Sequence, residues 1–183
     1  MTNADISVEV FPTEALSQAR RNAIIDVCIA AHDEENFRNL FVKYIPSGGR
    51  HFLGYLGDEL VSHAVVTKRG AQPDGLPILR TAFVDAVSTL PAYEGRGYGS
   101  AVMRRLGAEI SDYEIGCLQT DIPGFYERLG WRLWRGGLAG RDNDRVIPTP
   151  DQRGVMVLPL PSTPQLDLDA SLTIEVQPDR IWE

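Results

Sequence analysis

Three glycines at alternate positions dominate the run Leu90-Pro91-Ala92-Tyr93-Glu94-Gly95-Arg96-Gly97-Tyr98-Gly99-Ser100. Without a Cβ, a glycine takes backbone dihedrals that other residues rarely adopt, so such a run can turn tightly. A strand pattern precedes it, and a helical pattern with Ala101, Val102, Leu106 and Ile110 follows. The first N–H groups of a helix have no partner within it, and its positive dipole end attracts anions. The spacing thus predicts a loop that cradles a phosphate or pyrophosphate; a plain strand-to-helix turn also accounts for the glycines. No Gly-Lys-Ser/Thr follows, which excludes a Walker A loop. GxGxG spacing also departs from the dinucleotide-binding GxGxxG.

The flanking patterns set the order of elements. Ile6 to Phe11 alternates as an edge strand, ended by Pro12. Thr13 is a good N-cap, with Glu14 in the first turn, for a helix whose face carries Leu16, Ala19, Ala23, Ile24, Val27, Cys28 and Ala31. A second helix is expected from Glu34 to Tyr44, broken by Pro46-Ser47-Gly48-Gly49. His51 to Leu56, Gly57-Asp58 and Glu59 to Arg69 read as a hairpin, and Arg80 to Thr89 as a long strand. Ile115 to Leu118 is a short apolar run, expected as a buried parallel strand. Asp121 is placed to cap a short helix with Phe125, Tyr126 and Leu129, stopped by Gly130; Trp131 to Trp134 and Gly154 to Leu160 follow as strands. Residues 161–183 hold Pro161, Pro164 and Pro178 and end near Ile181 and Trp182, so a tail docked on one domain spanning 1–183 is expected, with Ser171 to Val176 as a strand.

Composition narrows the function classes. With 183 residues, 43% hydrophobic and 23% charged, the chain is of ordinary globular make-up. No apolar run of about 18 residues exists to span a membrane, and the N-terminus shows no signal-peptide pattern. Two isolated cysteines, Cys28 and Cys117, fit a reducing cytoplasm better than a disulfide framework. His32, His51 and His63 lack metal-ligand spacing, so no metal is expected. The net charge is −7 and no long basic stripe is present, which argues against nucleic-acid binding. Arg141 to Glu183 holds eight carboxylates against four arginines, four of those seven net charges. That excess is either a solvated surface or a field that attracts a cationic ligand.

The strand, glycine loop, helix, short strand and then Phe125-Tyr126-Glu127-Arg128-Leu129-Gly130-Trp131 resemble the GNAT-type N-acetyltransferases over about residues 51–134. Further likeness to the aminoglycoside 2'-N-acetyltransferases lies in Gly130-Trp131…Trp134, Thr149-Pro150-Asp151, Gly154 to Pro159 and the Ile181-Trp182 ending. The resemblance implies an α/β fold, a mixed, mostly antiparallel central sheet flanked by helices, in which the strands of Asp85 and Cys117 splay apart. It also implies acetyl-CoA as cosubstrate. Glu94, Gly95, Arg96, Gly97, Tyr98, Gly99 and Ser100 would hold its pyrophosphate, although the family usually has Arg or Gln where Glu94 stands.

The same resemblance implies the remaining site residues. Backbone groups of Val87 and Thr89 would bind the pantetheine and the thioester carbonyl. Asp85 would act through water as general base, unless it is a strand residue paired with Arg80 or Lys68. Tyr126 would be the general acid, unless it only packs on the core. Cys117, in an apolar strand, reads as core. For the cationic acceptor, Asp33, Glu34, Asp151, Gln152, Asp179, Trp182 and Glu183 are candidates; Gln152 and Arg153 stand where the family tends to have acids. The implied function is acetyl transfer to a primary amine of an aminosugar, most simply the 2'-amine of an aminoglycoside, with a homodimer as a possible assembly. Rival readings are an acyltransferase for another small amine or polyamine, a non-catalytic acyl-CoA sensor and a nucleotide-binding protein.

Overall fold

The alternation of Arg50–Leu56 and the apolar run that opens Glu59–Pro73 pair as an antiparallel hairpin, β2 and β3, around Gly57-Asp58. The computed structural model describes residues 6–33, 35–41, 45, 48–178 and 180–182. These form two compact units, each built from two stretches of chain: Met1–Thr67 with Asp85–Glu109, and Lys68–Val84 with Ile110–Glu183.

In the first unit, β1 (Ser7–Pro12) pairs antiparallel with β2 and forms an edge, as its alternation predicts. Helix α1 (Gln18–His32) buries Ile24, Val27 and Cys28 against Leu53, Leu60 and Val65. Its N-cap is Ser17, whose side chain accepts from the Arg20 N–H at 3.3 Å. The expected cap, Thr13, instead sits in a 3-10 turn over Thr13–Ala15 with its hydroxyl turned inward to the Gly49 carbonyl and His51. A tertiary partner thus outcompetes the local one. The expected second helix is a 3-10 turn over Glu35–Asn39 among the described residues; Glu34 and Tyr44 lie outside them. Helix α2 (Tyr98–Glu109) packs against β2, where a side chain at Gly54 would meet Val102 at 2.9 Å.

In the second unit, which holds only Lys68–Pro73 of β3 and Leu79–Val84 of β4, the hydrogen-bonded order is β6-β9-β5-β4-β3-β10-β7-β8. Here β4 is Leu79–Thr89, β5 Ile115–Gln119, β6 Arg132–Leu133, β7 Leu138–Asp142, β8 Arg145–Pro148, β9 Val155–Pro159 and β10 Leu172–Glu175. Strand β5 runs parallel to β4 over Thr81–Phe83 and is buried, as its unbroken apolar run predicts. Strands β10 and β7 are also parallel, and the other registered pairs are antiparallel, so the sheet is mixed and mostly antiparallel. The β7–β8 hairpin was not expected from sequence; it turns at Asn143, whose φ of 51° is a conformation asparagine tolerates better than most residues.

The segment after residue 161 belongs to this unit. Leu168, Leu172, Ile174 and Trp182 join Phe83, Cys117, Trp134 and Val157 in its core. Buried Arg69 lies over the Phe83 ring and donates to the carbonyls of Glu175 and Ile181, tying the last residues down. Among the described residues no helix is long and apolar enough to cross a membrane.

Candidate functional site

The glycine run closes onto the N-terminus of α2. Gly95 and Gly97 have φ of 70° and 85°, and a Cβ built on either meets nothing within 4 Å. Gly99 is already inside the helix, so two glycines, not three, bend the loop. The first helical bond of this turn runs from the Ala101 N–H to the Gly97 carbonyl, leaving the preceding amides of the helix start without helical partners. Residues Glu94 to Gly97 are exposed, whereas Tyr98 is buried and anchors the turn. Tyr93 braces the loop: its hydroxyl donates to Glu59 at 2.6 Å, and the Arg96 guanidinium lies 5.6 Å from its ring centre. Exposed amides, a helix dipole, an adjacent guanidinium and room in front of two glycines suit a diphosphate.

Upstream in the same unit, β4 carries Asp85, Val87 and Thr89, all half-buried. Between the first two, Ala86 has a φ of 48°. For a residue with a Cβ that conformation costs about 1 kcal/mol or more, so surrounding contacts must hold it. They are present. The Ala86 carbonyl accepts from His63 Nδ1 at 3.0 Å and from the Ser88 hydroxyl at 3.2 Å. The Val87 carbonyl accepts from His32 Nε2 at 3.2 Å, and the Ser88 carbonyl from the Ser62 hydroxyl at 2.9 Å.

Behind His63 stands a buried polar series. His51 Nδ1 is 3.0 Å from His63 Nε2, and the Thr13 hydroxyl is 3.0 Å from His51 Nε2. A carbonyl only accepts, so His63 carries its proton on Nδ1 and accepts at Nε2. His51 must then donate from Nδ1, which leaves Nε2 an acceptor beside the Thr13 hydroxyl, whose one proton also reaches the Gly49 carbonyl at 3.1 Å. Burial pushes His63 down to about 4, and burial together with the neighbouring His63 pushes His51 down to about 2, so both rings are neutral near pH 7. Cys28 lies 3.8 Å from His63 Nδ1, and burial raises its thiol to about 12. It is therefore a protonated core group and not a nucleophile.

The second unit positions Tyr126 on α3 (Pro123–Glu127). Its ring is 6% exposed and packs edge-on to Phe125 and Trp131. Burial raises the phenol to about 12, partly offset by a hydrogen bond with Thr120. Tyr126 thus holds its proton across the neutral range. Thr120 also closes the turn before the helix, its hydroxyl accepting from the Ile122 N–H at 3.0 Å; the helix start itself has no side-chain cap, so Asp121 does not take the role expected of it. Gly154 presses on Thr120: a Cβ there would lie 1.9 Å from the Thr120 carbonyl oxygen, at a φ of 73°. This contact seats the turn that carries exposed Asp151 and half-buried Gln152. Trp182, 2% exposed, donates from Nε1 to the Thr149 hydroxyl at 3.1 Å and so packs beneath that turn.

The first unit therefore brings together Asp85, Val87, Thr89 and the loop from Glu94 to Ser100. Asp33 ends α1 in a left-handed conformation beside His32, the residue that reaches Val87. The second unit brings together Tyr126, Asp151, Gln152 and Trp182. Glu34, Asp179 and Glu183 lie outside the described residues. Of the carboxylates after Arg141, Asp169 is engaged twofold by Arg135. Among the described residues no group of His, Cys, Asp and Glu is placed to hold a metal ion. Sequence reading missed His32, His51, His63, Ser62 and the Ala86 turn. The two hairpin histidines were traceable in principle, since His51 and His63 fall as diagonal neighbours once the β2–β3 register is drawn.

Comparison with known proteins gives three findings. Residues 15–134 match the family model for the acetyltransferase (GNAT) domain. The chain is 31% identical over 142 residues to an aminoglycoside 2'-N-acetyltransferase of Mycolicibacterium fortuitum, covering 74% of this chain and 72% of that protein. Among solved structures, Escherichia coli ElaA is similar in fold, with a TM-score of 0.56 at 18% identity over 84% of this chain and 99% of that one. A GCN5-related N-acetyltransferase from Anabaena variabilis gives a TM-score of 0.59 at 19% identity over 72% of this chain and 33% of that one.

Proposed function

The chain belongs to the GNAT acetyltransferase family, and from that premise we propose that it transfers an acetyl group from acetyl-CoA to a primary amine of a cationic aminosugar, the 2'-amine of an aminoglycoside. The observation that carries the acyl-donor half is the loop at Gly95 and Gly97, two positive-φ glycines with open space before them at the start of a 12-residue helix. The acceptor half rests on the 31% identity to a protein of that activity.

Acetyl-CoA supplies an activated thioester. Amides from Gly95 to Ser100, with Arg96, hold its pyrophosphate. Backbone N–H groups of Val87 and Thr89 bind the pantetheine arm and the thioester oxygen, where negative charge grows as the amine attacks. The acceptor arrives as an ammonium ion and must lose a proton before it can form the C–N bond. Asp85 accepts that proton through water, and Asp33, Asp151 and Gln152 are the candidate partners of the remaining ammonium groups. As the C–S bond breaks, Tyr126 donates its phenolic proton to the departing thiolate sulfur, and the second proton shed by the nitrogen as the amide forms restores the phenol through water. Burial keeps that phenol protonated at neutral pH. Direct attack needs no covalent enzyme intermediate.

The test is thiol release from acetyl-CoA with two aminoglycosides that differ in bearing an amine or a hydroxyl at the 2' position. Turnover with the amine alone supports the reading. Turnover with neither, alongside tight acetyl-CoA binding, removes the aminoglycoside and directs the assay to other small amines and polyamines.

A further inference from the structure

We infer that His63 and Ser62 are positioning residues that aim the Val87 and Thr89 amides by gripping the opposite ends of their peptide planes. The inference rests on the reading of β4 as the strand that binds the acyl donor. A peptide unit is planar and trans, so the carbonyl of residue 86 and the N–H of residue 87 point in opposite directions from one rigid plane. The same holds for the carbonyl of residue 88 and the N–H of residue 89. His63 holds the first carbonyl and Ser62 the second. Anchoring each oxygen on one side therefore directs each amide to the other.

The grip comes from two faces. His63 faces α1, where it meets Cys28; Ser62 faces the opposite side, beside its cross-strand partner Gly54. Both residues are fully buried on adjacent positions of β3, so their side chains leave the strand in opposite directions. The left-handed Ala86 lies between the anchors and Asp85, which makes the first anchor the more demanding one.

The hydrogen-bond direction also decides what the series does not do. The order Thr13 to His51 to His63 ends on a backbone carbonyl, which has no proton to pass on. The two histidines are thus not a proton relay. The Ala86 carbonyl requires the tautomer of His63 that keeps Nδ1 a donor, and His51 satisfies the Nε2 of that tautomer from the other side.

Two substitutions separate positioning from packing. His63→Asn keeps an N–H donor near the place of Nδ1, and His63→Leu keeps comparable bulk without a donor. The readouts are acetyl-CoA affinity by calorimetry and the 15N–1H resonances of Val87 and Thr89 in the free protein. His63→Leu is expected to weaken acetyl-CoA binding about tenfold, the equivalent of one hydrogen bond, and to move the Val87 resonance. His63→Asn should remain within about threefold of the parent. A folded His63→Leu protein with parental affinity and an unmoved Val87 amide overturns the inference, as does equal loss in both variants. Should His63→Leu not fold, Ser62→Ala tests the second plane: a displaced Thr89 amide with weakened binding is expected, and neither change overturns it. If the parent protein binds no acetyl-CoA, the proposed function fails, and the amide resonances alone then decide the positioning.

Discussion

At the level of single residues, burial sets the chemistry. The surroundings of Tyr126 push its phenol up to about 12, which keeps it protonated at neutral pH but makes it a weaker acid toward a leaving thiolate. Tyr126→Phe keeps the ring packing on Phe125 and Trp131 but removes the proton. It should lower kcat about 10²-fold while leaving acetyl-CoA affinity unchanged, as steady-state rates and calorimetry would show; parental kcat removes Tyr126 as the acid. The Tyr126 motif was visible in the sequence because it is local, five residues ahead of Trp131. The partner that tunes it, Thr120, and the glycine that presses on that partner lie in separate stretches of chain. Thr13 illustrates the reverse. By sequence it is a fine helix cap, yet its hydroxyl finds Gly49 and His51, 36 and 38 positions away, and Ser17 caps the helix instead.

At the level of elements, the loop-to-helix junction was legible because glycine spacing and helical periodicity are both short-range signals. Gly97→Asp strains the loop locally, because its φ is 85°, but its Cβ meets no atom and the rest of the fold is expected to stand, while the added carboxylate opposes a phosphate at the helix start. Acetyl-CoA affinity should fall about tenfold or more, with circular dichroism unchanged; undiminished binding in calorimetry would detach the loop from the donor. The C-terminal segment makes a contrasting case. Trp182 is buried in the second unit and bonded to Thr149 beneath the turn with Asp151 and Gln152. Trp182→Ala should cost about 3–5 kcal/mol, seen as a lowered denaturation midpoint. A midpoint within error of the parent would show that the tail contributes little. The β7–β8 hairpin escaped sequence reading because its strands are short and half polar, so their alternation is weak.

At the level of the whole molecule, the neutral histidine pair couples folding to pH. His63 titrates near 4 and His51 near 2 in the folded chain, against about 6.5 when unfolded. Below about 6.5 the unfolded chain takes up protons that the folded chain refuses, so stability falls as pH drops from about 6.5 toward 4. His63→Asn should flatten that slope in thermal denaturation between pH 4 and 7; an unaltered slope would mean that other groups carry it. The β2–β3 hairpin, the run from β4 through the glycine loop to α2, the Tyr126 motif and membership of the GNAT family could all be read from the residues alone, because each is written in neighbours along the chain. It took the folded chain to show that Ala86 adopts a left-handed turn, that His63 and Ser62 hold the carbonyls of Ala86 and Ser88, and that His51 is neutral. Those facts depend on strand register and on α1 closing over the hairpin. Burial and hydrogen-bond direction exist only once distant stretches of chain have met.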